Sequence, residues 1–225
     1  MRPVRMYLAV GVLLLGAAVA QAASNEAIKR NNFGAELSKQ GRLEEAIVEL
    51  RSAIQADPGY AAAHLNLAYV YDRLGRADEA IAAYQKAIAL DPKNAAAFNN
   101  LGVLYTNTAK HDEAVQTLEQ GLKLDPANAT LKKNLENAKT NRGIQQEREA
   151  RIAEARKETE GRPTDPRAAY NLGRVYASQH MKDEALEWLG KALQLGFDDI
   201  RFMREDPALT DLRGDPRFSK LLELR

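Results

Sequence analysis

Apolar positions in this chain fall three or four residues apart over long stretches, and the whole pattern then recurs at intervals of 34. NLGVLYTNTAKHDEAVQTLEQGLKLDP, from Asn100 to Pro126, is preceded at that interval by NLAYVYDRLGRADEAIAAYQKAIALDP, from Asn66 to Pro92. A worn copy, NFGAELSKQGRLEEAIVELRSAIQADP, stands one interval earlier, from Asn32 to Pro58. Each copy predicts two amphipathic helices. In the first (RNNFGAEL, HLNLAYVY, FNNLGVLY), large apolar residues such as Leu67, Tyr71 and Leu74 form one stripe. A small residue (Gly34, Ala68, Gly102) beside the stripe lets a neighbouring helix come close. In the second (LEEAIVELRSAI, ADEAIAAYQKAI, HDEAVQTLEQGL), Ala46, Ala80 and Ala114 mark the contact point, followed by Leu50, Tyr84 and Leu118. Glu44, Glu45, Asp78, Glu79, Asp112 and Glu113 place acids at the positive end of each second helix. Asp-Pro at 57–58, 91–92 and 125–126 stops it, because a residue before proline avoids helical angles. Gly41 and Gly75 suit the left-handed turn between the helices; Ala109 stands there in the third copy, which predicts a different turn.

Three copies in register resemble the tetratricopeptide repeat, whose W-x2-L-G-x2-Y…A-x3-F…P pattern has a period of 34. FNNLGVLY…EAVQTL…DP meets it, with Phe98 in place of the Trp. The resemblance implies an all-α protein, a helical-hairpin solenoid in which hairpins stack into a right-handed superhelix and the first helices line its concave side. The repeats occupy about 27–60, 61–94 and 95–128. The first departs most, with Arg30 and Leu37 where aromatics are usual; a solvated outer face on a terminal repeat accounts for this.

A fourth copy starts with KKNLENAK at 132–139 and then fails, since Arg148 falls where the alanines of the close helix contact stood. Charges dominate the following stretch, with Glu147 and Arg151 as an i,i+4 pair. Two readings stand for 143–165: a capping helix from about Ala129 that runs on, exposed, to about Glu160, or a degenerate repeat turning at Gly143. The repeat returns over about 166–199 with AYNLGRVY and KDEALEWLGKAL, 71 residues from Asn100 to Asn171 and so three out of phase. The rest of 166–225 resembles the end-of-group segment that closes repeat runs in bacterial members. Its two Asp-Pro steps predict helix starts. Phe202, Leu209, Leu212, Phe218, Leu221 and Leu222 are expected to cover the last repeat edge, with Trp188 packed under them. The architecture expected is two solenoid blocks, 23–142 and 166–225, joined by a charged, helical connector.

Composition narrows the function. Thirty-two basic and 31 acidic residues nearly cancel, so no basic face for nucleic acid is indicated. Cysteine is absent and His64, His111 and His180 lack ligand spacing, which argues against disulfides, thiol chemistry and a metal site. No G-x-S-x-G, H-E-x-x-H or phosphate loop occurs, so neither an enzyme nor a cofactor is expected. Residues 1–22 read as a signal peptide: Arg2 and Arg5, the 15-residue apolar run Met6 to Ala20, then small residues at Ala20 and Ala22. Cleavage after Ala22 would leave a periplasmic or secreted chain with no integral membrane segment; an uncleaved inner-membrane anchor is the alternative.

Asparagine recurs at Asn32, Asn66, Asn100 and Asn134, and again at Asn171. Residues three and seven further on share its helix face: Ala35 and Lys39, Tyr69 and Arg73, Val103 and Asn107, Asn137 and Asn141. An amide offers a donor and an acceptor together and so suits the backbone of an extended peptide, a use these asparagines have in the family resembled. The competing use is a bond to an adjacent helix. A carboxylate clamp like that of chaperone-binding members is not expected, because Ala96 and Asn100 stand where its basic residues would be. Two functions follow: an exported scaffold for an extended segment of an envelope protein, or a structural module that self-associates through its solenoid edges.

Overall fold

The computed structural model describes residues 21, 22 and 24–223, so the apolar run of the expected signal peptide lies outside the described residues. The protein divides into two compact units, with the boundary along the chain between Arg142 and Gly143. In the first, α1 (24–39) pairs with α2 (Leu43–Ala56), α3 (Ala61–Arg73) with α4 (Ala77–Leu90), and α5 (Ala95–Asn107) with α6 (His111–Leu124). The close approach within a hairpin is set where the small residues predicted it. A Cβ added to Gly34 would lie 2.7 Å from Leu50 Cγ, and one at Gly102 would overlap Leu118. The second hairpin fits Ala68 at this point, where both it and the facing Tyr84 are fully buried.

The turns between paired helices are alike. After a left-handed residue, the next N–H bonds the carbonyl five residues back: Arg42 to Leu37 at 3.0 Å, Arg76 to Tyr71 at 2.9 Å, Lys110 to Tyr105 at 2.9 Å. Gly41 and Gly75 take φ of 79° and 72°, and Ala109 takes 57°. The different turn expected at Ala109 is therefore corrected: the bond pattern of the copies imposes the left-handed angle on a residue that bears a Cβ.

Each second helix also reaches the first helix that follows it. Arg51 Nη2 donates to the Tyr71 hydroxyl at 2.7 Å and Gln85 Nε2 to that of Tyr105 at 2.9 Å. The same bond, again over 20 residues, joins Arg156 Nε to Tyr176 at 2.6 Å. It reveals what the connector does. The helix α7 runs unbroken over Ala129–Gly161, with no turn at Gly143. An exposed run was expected to about Glu160, but its last turns are covered along one stripe: Ala155 and Thr159 are buried and Ile152 packs on the core of the second unit. Side chains this short need little apolar length to seat a helix, and the charged residues between them point outward. Arg148, unable to fill a close helix contact, instead donates to the Gln179 carbonyl at 2.5 Å, at the end of the next helix.

The second unit completes this arrangement with α8 (Pro166–Ser178) and α9 (Lys182–Gln194). The closing segment follows as α10 (Ile200–Glu205), a 3-10 turn (Pro207–Leu212) and α11 (Pro216–Glu223). Both Asp-Pro steps start a helical turn, with Asp206 accepting from Ala208 N–H and Asp215 from Arg217 N–H, each at 2.9 Å. Leu209, Leu212 and Phe218 are buried, and Leu221 and Leu222 pack against them. Phe202 departs from expectation: it is 49% exposed, and its neighbour Met203 takes the buried place, since α10 has a single inward position. Trp188 is half-buried against a hollow formed with Arg156, Glu160 and Pro163, and Lys191 Nζ sits 4.3 Å from its ring centre.

Candidate functional site

The asparagines of the first helices lie on one face, and the structure bonds them in pairs. Asn66 Nδ2 donates to Asn31 Oδ1 at 2.8 Å, and Asn31 Nδ2 to Asn32 Oδ1 at 3.3 Å. The same triplet recurs at the far end, where Asn134 Nδ2 donates to Asn99 Oδ1 at 2.8 Å and Asn99 Nδ2 to Asn100 Oδ1 at 3.3 Å. These bonds cross between α1 and α3 and between α5 and α7, so part of each amide serves the stacking of repeats. Capacity remains on each: Asn32 keeps both N–H groups, Asn66 and Asn134 keep one N–H and the carbonyl oxygen, and the Asn100 N–H faces the Tyr84 hydroxyl.

The middle junction differs because Leu65 stands where the other two have Asn31 and Asn99. Tyr84 fills it instead, at the position held by leucine in the neighbouring copies. Its hydroxyl is buried without a hydrogen bond of ordinary geometry. Burial pushes its phenol well above the usual tyrosine range; the nearby Asp72 carboxylate adds to this, and the Asn100 amide opposes it. Burial also raises the Asp72 carboxyl. A tyrosine in place of leucine, Tyr84 against Leu50 and Leu118, is the signal for this cluster in the sequence, where the helix stripe alone marks it as core.

A depression of about 150 Å³ opens beside the first triplet, lined by Ala35, Ser38, Lys39, Asn66, Tyr69 and Arg73. Five of these are residues that the helix spacing placed on one face. Tyr69 is 48% exposed. The Arg73 guanidinium lies 5.9 Å from its ring centre and donates to the Ser38 carbonyl at 2.6 Å, which fixes both side chains against α1. Lys39 is exposed, with only Glu36 at 3.8 Å. Asn107 and Asn137 are exposed and lie outside this depression. Its chemistry is that of a shallow recognition surface: amide donors and acceptors, one flat ring and two cations.

The fifth asparagine, Asn171, lies in the second unit at a larger hollow of about 430 Å³. Tyr170 stacks on Phe197 there at 4.3 Å, with Phe202 tilted at 5.9 Å. The Tyr170 hydroxyl donates to Asp206 Oδ2 at 2.5 Å, and Arg174 Nε lies 2.5 Å from the same oxygen. Burial first, and then the bond to Asp206, push the Tyr170 phenol well up. Nothing in the helix periodicity foretold this cluster, because 36 residues separate Tyr170 from Asp206 and only the closing segment brings them together. Among the described residues no group of three or more His, Asp or Glu is arranged to hold a metal ion, and no helix is long and apolar enough to cross a membrane.

Comparison with known proteins covers much of this framework. A sequence profile described as TPR repeat matches residues 73–108, and two described as Tetratricopeptide repeat match 37–85, and 95–128 with 166–197. Together they span more than half of the chain. The TPR repeat-containing thioredoxin TTL4 of Arabidopsis thaliana is 50% identical over 44 residues, 20% of this chain and 6% of that protein, so the chain spans a small part of that relative's length. The first TPR of Spaghetti (RPAP3), solved bound to the HSP90 peptide SRMEEVD, is 27% identical with a TM-score of 0.51, over 52% of this chain and 93% of that one. The first TPR domain of human RPAP3 is 25% identical with a TM-score of 0.53, over 55% and 98%. MamA, 24% identical with a TM-score of 0.50 over 76% and 91%, shares the fold.

Proposed function

This chain belongs to the tetratricopeptide repeat family, and we propose that it is an exported scaffold which holds an extended segment of an envelope protein. The segment lies along the face carried by α1, α3, α5 and the start of α7. The observation that carries this reading is the row of amides down that face, at Asn32, Asn66, Asn100 and Asn134, which keep donors and acceptors beyond the bonds that join the repeats. An extended backbone presents its own carbonyls and N–H groups in alternation, so one strand can be read by the row whatever its side chains. Tyr69 and Lys39 add a ring and a cation at the first recess. The peptide held by the RPAP3 repeat domain, a relative at 27% identity, supports a protein segment as the ligand class. Export rests on the basic, apolar and small-residue pattern of 1–22, with the mature chain beginning at Ala23. The closing segment 200–223 acts as an end cap for the repeats.

Site-specific photocrosslinking in the native cell tests the reading. A photoreactive residue at position 69 should trap a discrete partner, while one at Val48, exposed on the outer side of α2, should not. Tyr69→Ala with Asn100→Ala should then weaken partner affinity by about thirtyfold, two contacts of about 1 kcal/mol each. Equal trapping at both positions would remove the groove as the site. Mass spectrometry of the native protein decides export separately: an intact Met1 terminus in the membrane fraction would make it an anchored protein.

A further inference from the structure

One stripe of the first helices is buried in every later repeat and bare in the first. Phe33 corresponds by the 34-residue interval to Leu67, Leu101 and Leu135, which are 7%, 4% and 8% exposed; Phe33 is 54% exposed. The position of Lys29 is held later by Ala63 and Ala97, and that of Glu36 by Val70 and Leu104, all buried, whereas Lys29 and Glu36 are exposed. In α3 and α5 this stripe faces the second helix of the preceding repeat, α2 on α3 and α4 on α5. Val48 is a useful contrast. It is also exposed, but so are its counterparts Ala82 and Gln116, which marks it as ordinary outer surface.

Charge at a terminal edge keeps a solenoid soluble. That accounts for Lys29 and Glu36 and leaves an aromatic ring at the centre of the stripe unaccounted for. The order of the charges supplies the rest. Lys29 lies one turn before Phe33 and Glu36 one turn after it, on the same helix face. We propose that this stripe is the interface of a symmetric dimer, in which a second copy of the chain supplies the neighbouring helix that no other described residue supplies to the first repeat. Two α1 helices crossing antiparallel about a twofold axis bring Phe33 against Phe33 and set Lys29 of each copy against Glu36 of the other. A parallel or head-to-tail crossing offers no such double match. Both charges are available for it: Lys29 has no partner among the described residues, and Glu36 meets only Gln40 at 3.2 Å and Lys39 at 3.8 Å on its own helix, all of them exposed.

Sedimentation equilibrium of the purified protein over a range of concentrations tests it, with circular dichroism to confirm that each variant is folded. The parent should form a concentration-dependent dimer, and Phe33→Lys should be a monomer of unchanged helicity. Lys29→Glu and Glu36→Lys should each weaken the dimer by about tenfold, since each creates two like-charge contacts across the axis. The double variant K29E/E36K should return to within about twofold of the parent, because both matches are restored with the signs exchanged. A parent that stays monomeric up to about 1 mM would overturn the proposal. So would a dimer indifferent to Phe33→Lys, or a double variant no better than the single ones.

Discussion

At the start of the first unit, α1 turns Lys29, Phe33 and Glu36 outward, while at the end of the second unit α8 and α9 are covered by a segment that is not a repeat at all. The two ends pose one physical problem, since a hairpin in a solenoid has two flanks and each expects a neighbour. At the beginning the flank is polar on either side of the Phe33 ring, with Lys29 and Glu36 exposed. At the end the flank stays apolar, and Leu209 and Leu212 are brought to full burial against it. That second solution carries a polar group inside with it. Asp206, 2% exposed, caps the 3-10 turn through Ala208 N–H and accepts from Tyr170, with Arg174 beside it. A charge so enclosed is tolerable only when its oxygens are met. The covered end therefore depends on one enclosed group and is the more easily broken by a single change.

The largest effect should come from Asp206→Ala. It removes a helix cap and strands the Tyr170 hydroxyl, at a cost of roughly 2–4 kcal/mol in the stability of the second unit. Hydrogen exchange should show 200–223 opening while the first unit keeps its protection. Protection unchanged over 200–223 would mean that the closing segment is held by its leucines alone.

A smaller effect should appear in alkali. Tyr84 and Tyr170 both have phenols raised by burial, so their neutral forms are favoured by the fold. In the unfolded chain they ionise near pH 10, and the stability they supply is whole below that pH and falls above it by up to about 1.4 kcal/mol per pH unit for each. Denaturant midpoints measured from pH 9 to about pH 11 should decline accordingly. In Asp206→Ala the share belonging to Tyr170 should shrink and that of Tyr84 should remain. A flat profile would count against enclosure of either ring.

The smallest effect belongs at the open end. In dilute solution Phe33→Ala should shift the unfolding midpoint by less than about 0.5 kcal/mol, because a half-exposed ring with no neighbour has little to lose. A loss comparable with that of a core leucine would show that the first repeat is covered after all, and the contrast between the two ends would disappear.

Much of this was legible in the sequence because the copies explain one another. Helix pairing, the small-to-large contact of Gly34 with Leu50 and of Gly102 with Leu118, and the common face of the asparagines all follow from the spacing. The partners of those asparagines did not follow. Asn31 and Asn99 each sit one residue before a ladder asparagine, a step of about 100° around a helix, and only the stacking of repeats brings them under the next amide. The recess at Tyr69 and Arg73 was readable as a face and not as a depression, since its floor depends on the Ser38 carbonyl of another helix. The end of α7 was misread for a different reason. Ile152, Ala155 and Thr159 make a weak stripe among many charges, and a stripe so thin is outvoted by composition unless its neighbour is known.

The 20-residue arm from a second helix to the tyrosine of the next first helix bears on how a worn repeat is recognised. In the segment before α8, counted in the register of Arg156, several marks of a repeat have worn away: Arg151 stands at the alanine contact, Ala150 at one of the two acids, and Arg162 before the terminal proline. The arm persists there, with Arg156 and Tyr176 standing to each other as Arg51 stands to Tyr71. It survives with arginine or glutamine as the donor, so it accepts substitutions that a close helix contact rejects. A helix pair can thus keep this pairing after the alanine contact is gone, and two polar-to-tyrosine steps of 20 residues mark the end of α7 as a second helix where the full motif does not.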